Sequence, residues 1–249
     1  MPVLRSRTPT GGALFGSNLR KRVSGSEVSA YLPITPFDPL ASLEHYWTMS
    51  EATGATRVDS VGSNDVLVST GPATQVAGHL GNASQDFIFD MTSGLTVGAA
   101  GYTFGWWEEA QNAGAPTVVG IWSLGGEGFG LISASPGMSN IQVSITGRPS
   151  GGGNSVIQNL PVAPEAWHFI CIVVDSAGVT SYGGDDTGAA LTVVTNAFAG
   201  GDSFVAPGAF NMDHSQPGVI LDDMFQYSVP LSAANVAALY NGGAGVAIF

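Results

Sequence analysis

Gly218–Gly243 reads GVILDDMFQYSVPLSAANVAALYNGG, and its two halves follow different periods. From Val219 the residues alternate. A period of two predicts a strand with Val219, Leu221, Asp223, Phe225 and Tyr227 on one face and Ile220, Asp222, Met224 and Gln226 on the other. Large apolar groups on both faces describe a strand that is covered on both sides. Pro230 has no N–H to donate and ends the ladder. Ser232 is then placed to cap a helix, with Leu231 and Val236 as a hydrophobic staple around its first turn. Asn241-Gly242-Gly243 supplies residues that accept positive φ at the helix C-terminus.

Composition agrees with a chain built mainly of strands. The 249 residues include 35 Gly and 14 Pro, and charged residues make up only 10%. Glycine and proline between short apolar runs favour many strands and turns over long helices. So few charges leave a surface of Ser, Thr, Asn, Gly and apolar atoms, as in proteins whose surfaces are partly occupied by neighbours. Residues 1–43 carry Arg5, Arg7, Arg20, Lys21 and Arg22 against Glu27 and Asp38. The rest holds Arg57 and Arg148 against seventeen acids. An acidic body excludes nucleic-acid binding by that part of the chain. Cys171, the single cysteine, sits in the apolar run HFICIVVD and reads as a buried, inert thiol. No run approaches the ~20 apolar residues of a membrane helix. The N-terminus has no apolar core of the kind a secretory signal needs.

Two parts are expected, a basic arm over 1–43 and one β domain over 44–249. In the arm Gly11-Gly12 and the prolines Pro33, Pro36 and Pro39 leave no periodic apolar face. Either it is a free tail or it lies along a partner. In the second case Arg5, Arg7, Arg20, Lys21 and Arg22 with Leu14, Phe15, Leu19 and Tyr31 would make the contact. From Leu43 the character changes. LEHYWTMSEATGATRVDSVGSND gives an aromatic pair, a Gly turn and an Asx-rich loop of Asp59, Ser60, Gly62, Asn64 and Asp65. VAGHLGNASQDFIFD, GYTFGWWEE, PTVVGIWSL, GFGLISA and NIQVSITG follow as strands. EAWHFICIVVDSAGVTSYGGDDTG then gives a central strand from Trp167 and a hairpin at Tyr182-Gly183-Gly184-Asp185.

In order and spacing these segments resemble the laminin G-like, concanavalin A-like lectin/glucanase domains, over about residues 43 to 243. The family's closing helix has an "LSAAE-x-x-x-LY-x-G" flavour, matched here except that Asn235 replaces Glu and weakens half of the capping box. The resemblance implies a two-sheet antiparallel jelly-roll sandwich with a short C-terminal helix, outside which the arm extends.

The superfamily includes glycoside hydrolases, whose chemistry needs paired carboxylates. Retaining glycosidases hold two acids about 5 Å apart. No E-x-D-x-x-E pattern occurs, and strand alternation would turn Glu108 from Glu109, and Asp222 from Asp223, to opposite faces. No G-x-S-x-G elbow is present. No catalytic residue is assigned and the chain is expected not to be an enzyme. Asp59, Asp65 and Asp222 or Asp223 either scaffold their loops or converge on a structural calcium, a cation that takes about six to eight oxygens. Aromatic and amide groups able to hold sugar are Trp107, Trp122, Tyr182, Asn211 and His214. The expected function is a structural protein of a bacteriophage virion, a capsid decoration or tail-fibre component. It would display a glycan-binding domain, dock through the arm, and form a homo-oligomer or part of a larger assembly. The alternative is a secreted bacterial surface adhesin, and a glycoside hydrolase comes last.

Overall fold

The computed structural model describes residues 37–63, 65, 67–70, 73–85, 88–95, 98–110, 118–123, 128–133, 140–146, 156–161, 166–198, 210–214 and 219–248. For the strands of the second sheet it describes the backbone. The arm residues named above, from Arg5 to Tyr31, lie outside the described residues, as does Asn64.

Two antiparallel sheets make up the fold. The first is built from β13 (Thr192–Ala197), β12 (Gly178–Asp185), β11 (Trp167–Asp175), β6 (Gly101–Ala110), β15 (Val219–Tyr227), β4 (Asn82–Gln85) and β3 (Thr74–Ala77), in that order, with β1 (Leu43–Trp47) also paired to β15. The second runs β10 (Val156–Pro161), β9 (Asn140–Thr146), β8 (Gly128–Ser133), β7 (Val118–Ser123), β14 (Phe210–His214), β5 (Ile88–Leu95) and β2 (Leu67–Thr70). The strand β10 lies against β12 and β13 of the first sheet. This is the all-β sandwich expected from the sequence, with helix α1 (Ala233–Tyr240) near its C-terminus.

The first sheet is apolar on both faces. Tyr102, Phe104 and Trp106 of β6 and Ile170, Ile172 and Val174 of β11 line one face and are fully buried. On the other face Trp107, Phe169, Cys171, Phe225 and Tyr227 meet Leu231, Val236, Leu239 and Tyr240 in one cluster. An eight-residue helix is marginal alone in water, so this burial is what holds it. The Ser232 hydroxyl accepts the Asn235 N–H at 3.2 Å, and Asn241 closes the helix with φ 49° and an N–H bonded to the Ala237 carbonyl. The Leu231 N–H donates to Thr103 Oγ1 at 2.8 Å, which ties the approach to the helix onto β6. Residues 37–42, within the stretch assigned to the arm by sequence, also contact this body. Phe37 packs on the cluster and the Tyr227 hydroxyl donates to the Pro39 carbonyl at 2.8 Å.

Two sequence expectations are corrected here. The glycines of Tyr182-Gly183-Gly184-Asp185 do not form a hairpin. They stay inside β12, where Cys171 pairs with Tyr182 and His168 with Asp185, and the turn to β11 is made at Ser176-Ala177. Gly184 is needed for another reason: a Cβ there would overlap the Tyr240 ring. The alternation of β15 is also broken. Asp222 pairs with Trp107 but Phe225 pairs with Gly105, so one extra residue is inserted, with Asp223 at φ 44°. A bulge shifts the phase of the strand by one. Leu221 therefore shares the face of Glu108, while Phe225 and Tyr227 lie under the helix.

Candidate functional site

The bulge is the chemically densest place among the described residues. Its edge of β15 serves two strands, β4 beside Ile220–Leu221 and β1 beside Met224–Tyr227. Between them stand Asp222 and Asp223, both buried. Alternation alone would turn them apart, and the bulge, with Asp223 at positive φ, instead brings their charges close enough to act on one another. Asp222 accepts the Leu80 N–H at 2.9 Å and also the His79 N–H. Asp223 accepts the Tyr46 hydroxyl, and the Ile248 N–H reaches the same hydroxyl oxygen. Burial, and then the adjacent Asp222 charge, push the Asp223 carboxyl up to about 8. Burial raises Asp222 as well. Two acids that exclude water can keep one proton between them. The pair ties β15 to the Leu80 backbone and to the Tyr46 hydroxyl.

Asp59 organises a second cluster. Its Oδ1 accepts the N–H groups of Tyr46 (3.1 Å), Val61 (3.2 Å) and Gly62 (2.9 Å), and its Oδ2 lies 2.5 Å from His45 Nδ1. Asp65 Oδ1 accepts the Asp59 N–H at 3.0 Å. These bonds make the loop its own scaffold. The four acids read as possible calcium ligands are not gathered: Asp59 and Asp65 sit at the backbone end of Tyr46, Asp222 and Asp223 at its hydroxyl end. No group of three or more His, Cys, Asp or Glu able to hold a metal ion occurs among the described residues. Arg57 Nε lies 3.8 Å from Glu51.

A third acid was missed by sequence. Glu108 is buried, accepts the Trp106 Nε1–H at 2.9 Å, and is pushed up to about 7 by burial. The strand register sets it between His168 and Leu221, and His168 beside Asp185. The EE pair hid this, because alternation says that one of the two acids faces inward but not which.

The sugar candidates separate into two groups. Trp107 and Tyr182 are buried in the cluster under the helix. His79 stacks on the Trp107 ring at 3.8 Å and Tyr240 at 6.1 Å, so these two aromatics act as core rather than as open platforms. Trp122, Asn211 and His214 belong to the second sheet. There Asn211 is the register partner of Trp122, while His214 pairs with Val119 and, three residues from Asn211, falls on the opposite face.

No family model and no curated protein matches this chain. Solved structures do. Domain 4 of AbnA, a GH43 extracellular arabinanase from Geobacillus stearothermophilus solved in complex with arabinotriose, superposes with a TM-score of 0.57 at 14% identity, over 79% of this chain and 97% of that domain. Trypanosoma rangeli sialidase superposes with a TM-score of 0.56 at 12% identity, over 86% of this chain. In that case the match spans 36% of the sialidase's length. Identities this low show the fold alone, a two-sheet β sandwich of the kind that these proteins carry.

Proposed function

We propose that this sandwich is a carbohydrate-binding domain that does not cleave its ligand. The observation that carries the reading is the match to nearly the full length of an arabinanase domain crystallised with arabinotriose. Geometry supports the non-hydrolytic half. Glycosidases place their two carboxyls about 5 to 9.5 Å apart to bracket a bond or a water, whereas Asp222 and Asp223 are neighbours in a bulge, each buried and hydrogen-bonded to the fold, and Glu108 is buried against Trp106. The setting we propose is the surface of a bacteriophage particle, with the basic residues 1–43 as the docking segment and the acidic body displayed.

A glycan array probed with the full chain, together with a reducing-end assay on the bound glycans, tests the reading. Binding without new reducing ends is the expected result. Release of reducing ends would replace it by hydrolysis, and an array without hits would remove carbohydrate recognition. For the setting, a chain lacking residues 1–36 should stay folded and fail to join particles.

A further inference from the structure

The second sheet has two faces of different composition. Its register puts Val119 and Ile121 of β7 on one face with Phe129 and Leu131 of β8 and Val143 and Ile145 of β9. That run is what a sandwich buries against its partner sheet. The other face carries Trp122, and around it the register sets small and polar residues. Asn211 and Gly128 flank Trp122 on the two neighbouring strands, and Thr146 comes next in the same row. The following row on this face is Asp90, Asp213, Gly120, Gly130, Ser144 and Ile157, and the row beyond it holds Val118, Ile132, Gln142 and Asn159. Three glycines thus surround one tryptophan. A glycine contributes nothing beyond its backbone, so these three positions add no side chain to the face.

We propose that this face, centred on Trp122 with Asn211 and Thr146 in its row, is the binding surface and that its ligand is a neutral linear oligosaccharide. The proposal rests on the carbohydrate-binding reading and gives it a place and a ligand class. The C–H face of a sugar ring is apolar and stacks on an indole, while an amide and a hydroxyl in the same row supply donors and acceptors for ring hydroxyls. The row from Asn211 to Thr146 crosses four strands, about 14 Å at the usual strand spacing, so it suits several rings in line rather than one. Asp90 and Asp213 in the adjacent row, on a body with seventeen acids against two basic residues, select against sialylated and other anionic glycans.

Calorimetric titration of the full chain with arabinotriose, xylotriose and maltotriose, and with 3′-sialyllactose, provides the test. At least one neutral trisaccharide should bind and sialyllactose should not. Trp122→Ala should weaken that binding at least tenfold at an unchanged melting temperature, and Trp122→Phe should retain most of it. An indole that merely covers the glycine facing it would instead lower the melting temperature without a specific loss of binding. Should Trp122→Ala fail to fold, Asn211→Ala and Thr146→Arg decide, each expected to weaken binding several-fold or more. Neutral binding that survives all of these variants would put the site elsewhere and leave the carbohydrate reading standing. Preference for sialyllactose would overturn the ligand class. No binding of any glycan, here or on the array, would remove both.

Discussion

The two sheets finish their outer faces in opposite ways. The first is apolar on both sides and hides its second apolar face under α1 and the segment from Phe37, whereas the second carries an apolar face backed by one of mixed composition that is rich in glycine around Trp122. A sheet with one apolar face is complete as soon as its partner covers it. A sheet with two needs an additional lid, and the chain supplies that lid from its own C-terminus. On the proposed reading, the difference separates a sheet committed to stability from a sheet that offers its second face to a ligand.

The largest effect is expected where the lid meets the first sheet. Leu239 is buried between Val236, Tyr240 and the aromatic row, and Leu239→Ala should cost about 2–5 kcal/mol in urea unfolding. An unchanged midpoint would mean that the helix adds nothing and would break the comparison at its first point. Gly184→Ala tests the same contact from below. Its Cβ would overlap the Tyr240 ring, whose hydroxyl lies 2.7 and 2.8 Å from the Asp185 and Ala189 carbonyls. Overpacking there should cost about 1–3 kcal/mol; a neutral result would show that the ring moves aside freely.

Adjacent residues of β9 sharpen the other half. Val143 falls in the apolar row with Leu131, and Ser144 in the glycine row with Gly130. Val143→Ala should destabilise by about 2 kcal/mol and Ser144→Ala by less than about 0.5 kcal/mol. Equal costs would mean that both faces of the second sheet are covered, which would remove the free face on which the proposed ligand site depends.

Much of the architecture was legible in the sequence because period and capping are local properties. The helix from Ala233, its Ser232 cap and the Asn241 stop followed from residue types, as did a β11 with two apolar faces. What escaped were features decided by contacts distant along the chain. Gly183 and Gly184 looked like a turn because nothing nearby in sequence says that Tyr240 will lie against one of them. Asp222 and Asp223 looked mutually remote because strict alternation was assumed through a bulge that exists where two strands, β1 and β4, take successive parts of one edge. Trp107 and Trp122 looked equivalent as sugar platforms. Only the register showed that one lies under the helix and the other among glycines.

A further effect concerns the acids under the covered face of the first sheet. Asp223 lies at the rim of the covered face, raised to about 8 by burial and by Asp222, against about 3.9 for an unfolded aspartate. Between those pH values the folded chain keeps a proton that the unfolded chain releases, so this group's contribution to stability falls as pH rises from about 4 to about 8 and is flat above. Asn keeps the hydrogen-bonding shape, tolerates the positive φ of that position, and carries no proton to lose. Asp223→Asn should therefore gain stability relative to the parent between pH 5 and pH 8, by about 1 kcal/mol because Asp222 takes up part of the same titration. Glu108, raised to about 7, leaves a residual slope of the same sign in both proteins, which cancels in the difference. An unaltered pH dependence would mean that the Asp223 carboxyl is ionised throughout this range and that the acidic pair holds no proton.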